Sequence, residues 1–267
     1  MKRARPPKRP AHVLVAALLA PMLAACSTET KDDTAKPPAK PPAETPARTP
    51  AETSSEPAPE PLSAKELKAL VLTTAQTPSG FEVYRTVARK ARPLEGQEVV
   101  RPKKCAVLRN PELKASVEAS TARAILERPT EGLDRHTIVV AGWSSEADAR
   151  TRMAALREAL GGCGSIQYEN TYAPGTREAR LQPENAPELG DEALRYTENG
   201  PTSYQGLTVV RVRDVIVYVK ADTLFGFGTP LSAAKRKELT PGFEEKLVRA
   251  QVDKVQRTLD QGSTTTS

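Results

Sequence analysis

The chain has 267 residues, of which 38% are hydrophobic and 4% aromatic, and its formal net charge at pH 7 is +6. Thirteen of its 24 prolines precede Leu62, whereas all eleven aromatic residues lie between Phe81 and Phe243. Because a core needs large apolar side chains, the first 61 residues are predicted to build none, which leaves residues 62–267 for one folded domain. No apolar run reaches 18 residues, so no transmembrane helix is predicted.

Most of the excess positive charge lies at the amino terminus. Five cations precede the first apolar run: Lys2, Arg3, Arg5, Lys8 and Arg9. Residues 27–61 then carry four bases and seven acids, and residues 62–267 carry 30 bases and 26 acids. This nearly balanced composition lacks the basic excess of nucleic-acid-binding domains, so a nucleic-acid partner is not expected.

Residues 1–25 are typical of a secretory signal peptide, since the cations are followed by an apolar run too short to span a bilayer. The run ends in Leu23-Ala24-Ala25-Cys26, which resembles the lipobox of bacterial lipoproteins. That resemblance implies cleavage before Cys26 and attachment of a diacylglyceryl group, with fatty acids such as palmitate, to its thiol. Two or more acyl chains anchor a protein stably to a membrane. The alternative is an ordinary signal peptide with a chance cysteine.

Residues 26–61 are predicted to be the lipidated cysteine followed by a disordered tether. This segment contains nine prolines and no aromatic residue, so it cannot bury enough surface to offset its chain entropy. Such a chain spans about 30 Å as a flexible coil and on the order of 110 Å when fully polyproline-like. The tether would hold the following domain away from the extracellular face of the cell membrane.

The first half of the folded domain, which is predicted over residues 62–262, alternates helix and strand signals. Ser63-Ala-Lys-Glu66 is a capping-box pattern that predicts a helix. Residues 81–87 alternate apolar and polar side chains and predict a strand. A second helix is predicted from Pro111 towards Leu126, and a second strand over His136–Trp143.

The third predicted helix has the clearest boundaries in the sequence. Ser145 is its predicted cap, Asp148 places a carboxylate in its first turn, and Gly161-Gly162 ends it. Two further strands are predicted over residues 166–172 and 193–198.

The strongest strand signal is the valine-rich segment Leu207–Lys220. It exceeds the usual length of a strand, so we predict a hairpin whose turn lies at Arg213-Asp214. The last helix is predicted after Thr240-Pro241, where a capping residue precedes a proline, and residues 263–267 form a disordered tail. Because no regular βαβ rhythm is present, the fold class is predicted as α+β, a single domain with a mainly antiparallel sheet.

Cys105 and Cys163 are the cysteines that remain when Cys26 is lipidated. An even pair in an oxidising compartment predicts a disulfide, and two free buried thiols are the alternative. A zinc site is not expected, because these two cysteines and His136, the one histidine of the mature chain, do not supply four ligands.

No catalytic site is predicted. His136 begins a predicted strand with no evident serine or aspartate partner, and a structural role is favoured over a general base. Asp191 and Glu192 pair two carboxylates, but adjacent side chains point apart and a turn explains them. Gly226-Phe-Gly228 lacks the residues of a phosphate-binding loop. Neither an enzyme activity nor a cofactor is therefore expected.

Several motifs occur in a recognisable order: Leu-Val-Leu-Thr-Thr, Pro-Ser-Gly-Phe81, Cys105, Trp143, Gly-Gly-Cys163 and Gly190-Asp-Glu-Ala. Over about residues 62–260 this order resembles the PknH-like extracellular sensor domain, a family found outside actinobacterial receptor kinases and as stand-alone lipoproteins. The resemblance implies a curved sheet flanked by helices, with a groove for a small ligand. Kinase-attached members carry a second disulfide, for which this chain has no cysteines. No ligand-binding residues carry over.

Two function classes remain. The first is a non-catalytic binding or sensing lipoprotein that captures a small molecule, lipid or protein of the cell envelope in a groove between sheet and helices. The second is a structural lipoprotein that docks another protein. A pocket would favour the binding or sensing class, whereas a flat apolar patch would favour the structural class. Secreted hydrolysis is a third, weaker alternative.

Four aromatic residues on strands would fill the core or line such a groove, with the core favoured: Trp143, Tyr196, Tyr204 and Tyr218.

Overall fold

A computed structural model describes residues 60–92, 98–127, 135–170, 173–225 and 231–263. Within these ranges the α-helices are α1 (Ala64–Leu70), α2 (Pro111–Glu118), α3 (Glu146–Gly162), α4 (Ala233–Leu239) and α5 (Glu245–Ser263). The strands are β1 (Glu82–Arg89), β2 (Val99–Arg101), β3 (Ser120–Glu127), β4 (Arg135–Gly142), β5 (Ser165–Asn170), β6 (Ala173–Glu184), β7 (Glu192–Asn199), β8 (Ser203–Val212) and β9 (Val215–Leu224). Short 3-10 helices span Thr74–Gln76 and Lys103–Leu108.

The nine strands form one sheet in the order β1-β3-β4-β9-β8-β7-β6-β5-β2. Every neighbouring pair is antiparallel. The predicted α+β class with an antiparallel sheet is therefore confirmed. No helix in the described ranges is long and apolar enough to cross a membrane.

The start predicted for the last helix is wrong, because Thr240 follows the end of α4 and α5 begins only at Glu245. The predicted starts of α1 and α3 are confirmed by their capping contacts. The Ser63 side chain accepts a hydrogen bond from the backbone of Glu66, and the Glu66 carboxylate accepts one from the Ser63 backbone at 2.8 Å. Ser145 Oγ likewise accepts from the backbone N–H of Asp148 at 3.1 Å. Each cap satisfies a backbone donor that the helix itself leaves unpaired.

The predicted hairpin is also confirmed, since Val212 pairs with Val215 across the turn Arg213-Asp214. Arg213 adopts a left-handed conformation with φ of 56°, which an arginine adopts only when other contacts hold it. One such contact is the carboxylate of Asp191, whose Oδ2 accepts the Arg213 backbone N–H at 2.6 Å.

The helix predicted from Pro111 towards Leu126 is wrong in its second half. α2 ends at Glu118, and β3 begins at Ser120. β3 lies between β1 and β4 and pairs with both along its length. Hydrogen bonding and packing on two sides outweigh the weak helical spacing of its apolar residues, which is how tertiary context overrides local propensity.

Among the described strands and α-helices, three had no counterpart in the sequence-based prediction. β2 has only three residues. β6 contains Pro174, Gly175 and Pro183, residue types that interrupt strand patterns. α4 buries no side chain and so lacks the apolar stripe by which a helix is recognised.

The sheet is buried on both faces by helices. α1 and α5 cover one side, which we call the α5 face, and contact residues such as Val210, Val217 and Ile138. α2 and α3 cover the opposite side, the α3 face, where Met153 and Leu156 of α3 belong to the same core as Trp143. This double coverage explains why the middle strands are apolar at consecutive positions rather than at alternate ones.

The predicted disulfide joins Cys105 and Cys163, whose Cα atoms are 5.9 Å apart. Cys105 lies in the 3-10 helix Lys103–Leu108, and Cys163 directly follows α3. Both cysteines are buried in the core of the α3 face. The bond therefore ties the segment before α2 to the end of α3.

Replacing both cysteines with alanine should lower the free energy of unfolding by about 4 kcal/mol, the chain-entropy estimate for closing a loop between residues 58 positions apart. Urea denaturation measures this difference. The wild-type protein unfolded with a reductant serves as control and should approach the double variant. Labelling of two free cysteines in the oxidised, denatured protein would contradict the bond.

Candidate functional site

An open groove of about 960 Å³ lies where β6 and the β7–β8 turn meet α4. Its cations are Arg177, Arg180, Arg236 and Lys237, and its aromatic walls are Tyr204 and Phe225. We call this surface the cationic groove. Its volume is at the upper end of the range of about 300–1,000 Å³ that is usual for ligand sites.

Strand register places three of the lining residues side by side. Arg180 lies opposite Asn199, and Asn199 lies opposite Tyr204. Directly opposed residues share one face of a sheet, and Tyr204 shares its face with Val210 by alternation along β8. The cationic groove therefore opens on the α5 face, near the turn that joins β7 to β8.

α4 forms the other wall and is attached through Arg236. The guanidinium of Arg236 donates to the backbone oxygen of Gly200 and lies 4.6 Å from the ring centre of Phe225. Ser232 caps the helix by accepting from the backbone N–H of Lys235 at 3.2 Å. Because α4 buries no side chain, polar and cation–π contacts of this kind hold it against the sheet.

The cationic groove has a strongly positive lining. Glu178 is the one acid among its described lining residues, against four cations. Burial raises the pKa of the Tyr204 phenol, so its hydroxyl stays protonated at neutral pH and can donate a hydrogen bond. Guanidinium groups, an ammonium group and a phenol are all donors, and together they suit a ligand rich in anionic oxygen atoms.

His136 does not reach this groove. It is 1% exposed and packs edge-on against the ring of Phe81, with ring centres 5.0 Å apart. It lies in β4 and is surrounded by the core of the α5 face. The structural role favoured for this histidine agrees with that position.

Asp191 and Glu192 hold the β8–β9 hairpin in place. Arg211 donates to Asp191 Oδ2 at 3.0 Å and to Glu192 Oε2 at 3.3 Å. The preceding Gly190 has φ of +62°, and a Cβ there would lie 2.4 Å from the Arg211 backbone oxygen. The glycine is required by this close approach. Both carboxylates contact the same arginine, so the expectation that these adjacent side chains point apart is wrong.

Three of the four strand aromatics belong to the core of the α3 face: Trp143, Tyr196 and Tyr218. The Tyr196 hydroxyl donates to the backbone oxygen of Leu108 at 2.7 Å, and burial raises the pKa of Tyr218 to about 12. Tyr204 alone among the four borders the cationic groove. Gly226-Phe-Gly228 and Cys26 lie outside the described residues.

A buried ion network was not predicted from the sequence. Arg109 lies between two carboxylates, with its NH1 atom 2.5 Å from Glu198 Oε1 and its Nε atom 3.0 Å from Glu98 Oε2. Its guanidinium also stacks 4.1 Å above the ring of Tyr168. Burial raises the pKa of Glu198 to about 7, although Arg109 and Lys220 act in the opposite direction. These residues come from separate elements, so no local motif reveals the network.

No protein-family model matches the sequence, and no curated protein matches it. Among solved structures, the extracellular domain of PknH from Mycobacterium tuberculosis superposes with a TM-score of 0.50 at 10% sequence identity, over 76% of this chain and 98% of that domain. The two proteins share a fold. A second match is an uncharacterised protein from Mycobacterium smegmatis, with a TM-score of 0.36, 13% identity and coverage of 68% and 92%. The resemblance to PknH-like extracellular domains is thus confirmed at the level of the fold.

The raised pKa of Glu198 predicts how stability depends on pH. Between its ordinary value of 4.5 and about 7, the folded protein holds a proton that the unfolded chain releases. The free energy of unfolding should therefore fall as pH rises through this window. Glu198→Gln removes the titrating group, and the fall should shrink by about 2–3 kcal/mol.

Urea denaturation from about pH 4.5 to about pH 8 measures this slope. Glu188→Gln, at an exposed carboxylate, is the matched control and should keep the wild-type slope. Identical slopes in the wild type and Glu198→Gln would show that Glu198 is ionised throughout the range.

Proposed function

We propose that this protein is a membrane-anchored extracytoplasmic lipoprotein whose folded domain binds an anionic envelope ligand and catalyses no reaction. The lipobox-like Leu23–Cys26 and the proline-rich residues 27–61 support the anchor and the tether. The fold shared with an extracellular domain is consistent with this location. No group of three or more metal-ligating side chains occurs in the described ranges, and His136 is buried away from the carboxylates of Asp191 and Glu192.

The observation that carries the proposal is the cationic groove. Four cations face one acid over a volume that holds a ligand of several sugar rings. Neither Arg180 nor Lys237 forms an ion pair with another described residue, so their charges are available to a ligand. A cleft lined by one sign of charge attracts the opposite charge from solution.

The lining also indicates the chemical class of the ligand. Planar guanidinium groups bind phosphate and carboxylate through paired hydrogen bonds. Tyr204 and Phe225 add apolar ring surface next to these donors. A long acyl chain would find too little apolar wall in this polar groove. A glycan that carries phosphate or carboxylate groups fits the combination best.

The exposed apolar residues do not favour a role in docking another protein. Three large apolar side chains are exposed in the described ranges: Tyr84, Val99 and Leu224. Tyr84 belongs to the first strand of the sheet order and Val99 to the last, and Leu224 ends a middle strand. Single exposed residues of this kind are ordinary on protein surfaces and do not form a patch.

The anchor is tested by replacing the acylated residue. Cys26→Ser should move the protein from the membrane fraction to the medium or leave it uncleaved, because a serine hydroxyl does not replace the thiol that carries the lipid. Intact mass measurement of the wild-type protein should show an amino terminus at residue 26 that bears acyl chains. Thr30→Ala is the control and should stay in the membrane fraction. A wild-type amino terminus elsewhere would contradict the anchor.

The ligand is tested by native mass spectrometry of protein isolated from its own cell envelopes. The wild-type protein should retain an adduct whose fragments include sugar and phosphate or carboxylate. Arg180→Gln combined with Lys237→Gln should lower its occupancy at least about tenfold, because two charge-assisted contacts are lost. Lys65→Gln combined with Lys68→Gln makes the same charge change on exposed positions of α1 and should have no effect. An absent adduct, or equal loss in both double variants, would contradict the proposal.

A further inference from the structure

A second concave site lies on the α3 face, at the other end of the strand order. It is a cavity of about 160 Å³ between α2 and the strands β1, β3 and β4. Four arginines line it, and we call it the arginine cavity: Arg85, Arg89, Arg92 and Arg123. The positively charged residues among its described lining residues are all arginines.

Strand register brings three of these arginines together. Arg85 and Arg89 are separated by four positions of β1, so they share a face with Val87 between them. Val87 lies opposite Arg123 of β3, which places the third guanidinium between the first two. The fourth, Arg92, follows β1, and its backbone N–H donates to the Ser116 oxygen of α2 at 2.9 Å.

These guanidinium groups are not neutralised within the described protein. None of the four forms an ion pair or a side-chain hydrogen bond with another described residue. The Nε atom of Arg123 is buried and has no hydrogen-bond acceptor. Buried donors are nearly always satisfied, so the Nε atom of Arg123 requires an acceptor. The like charges of the four arginines also repel each other, and an anion bound among them relieves this repulsion.

Glu112 is the acid among the described lining residues of the cavity, and it forms an ion pair with a lysine outside that lining. It is 1% exposed, and its Oε1 atom lies 2.7 Å from Nζ of Lys220 on β9. The charge of Lys220 offsets that of Glu112. The four arginines therefore retain most of their positive potential towards the cavity.

The volume and the lining residues of the arginine cavity favour a small ligand. A volume of about 160 Å³ holds a tetrahedral oxyanion and a few further atoms, but no oligosaccharide. Apolar side chains form part of the wall, among them Val87, Leu113 and Val139. The paired N–H groups of a guanidinium match the spacing of the oxygen atoms of a phosphate. The apolar part of the cavity lining accommodates a short carbon substituent on that phosphate.

We infer that the arginine cavity is a phosphate site that binds a phosphomonoester or the phosphate headgroup of a lipid. It is separate from the cationic groove, because the two lie on opposite faces of the sheet and their described lining residues come from different strands. The inference therefore does not depend on the proposed glycan ligand.

Isothermal titration with glycerol 3-phosphate, with glycerol as the uncharged control, tests the site in the purified protein. The wild type should bind glycerol 3-phosphate and not glycerol. Arg123→Gln should weaken binding at least about tenfold, because one charge-assisted contact contributes about 1.5 kcal/mol or more. Arg257→Gln, at an exposed position of α5, is the matched control and should bind like the wild type.

Two further variants keep the test decisive. Arg85→Gln combined with Arg89→Gln changes exposed side chains only, so it reports on binding even when Arg123→Gln does not fold. Arg180→Gln combined with Lys237→Gln should leave glycerol 3-phosphate binding unchanged. Loss of binding in that groove variant, binding that survives the cavity variants, or no binding by the wild type would overturn the inference.

The source of the phosphate is decided by co-sedimentation with phosphatidylglycerol vesicles, compared with phosphatidylcholine vesicles. Sedimentation with phosphatidylglycerol that depends on Arg123 identifies a lipid headgroup. Binding of glycerol 3-phosphate without sedimentation identifies a soluble phosphomonoester. Both results support a phosphate site, whereas sedimentation that is equal in the wild type and the Arg123 variant contradicts a headgroup site in this cavity.

Discussion

The structure depends on the hydrogen-bonded pairing of β8 with β9 in the middle of the sheet. Both strands are buried on their two faces, so their valines meet helices on either side. In such a position every backbone donor and acceptor must be paired, and the antiparallel ladder satisfies them. The turn at Arg213 and its contact with Asp191 set the register of this pair. The other seven strands lie on either side of this central pair in the order of the sheet.

This arrangement determines where ligands can enter. Helices close the middle of the sheet on both faces, so open surfaces remain towards its ends. The arginine cavity lies at the outer strands β1 and β3, and the cationic groove lies on the other face, where the strands end at the β7–β8 turn. The two proposed anion sites on this single sheet therefore differ in size, because one is an open groove and the other is a compact cavity.

Charged residues in this protein fall into two groups that differ in their partners. Arg109 and Arg211 are buried against carboxylates and stabilise the connection between elements. The four arginines of the arginine cavity have no such described partner. Arg85, Arg89 and Arg92 are exposed and Arg123 is half-buried, so their charges remain partly solvated, whereas the buried Arg109 and Arg211 require their carboxylate partners. The presence or absence of a carboxylate partner therefore distinguishes structural arginines from candidate ligand contacts better than sequence composition does.

The shared fold with the PknH extracellular domain does not assign a ligand, since one fold supports many functions.

The sequence by itself determined the features that depend on neighbouring residues, on the length of a segment or on the number of cysteines. Ser63 and Ser145 mark helix starts through local caps, and Leu207–Lys220 marks a hairpin through its length. Cys105 and Cys163 are the two cysteines of the predicted folded domain, and they form a disulfide. Only the tertiary structure decided that residues 120–127 form a strand, because that choice depends on two partner strands.

It also decided where the ligand-facing charges meet. Arg85 and Arg123 become neighbours through the pairing of β1 with β3, and Arg236 joins the groove through packing of α4. Contacts between residues far apart in sequence leave no local periodic signal, so composition alone indicates a surface of evenly mixed charge where the fold gathers cations.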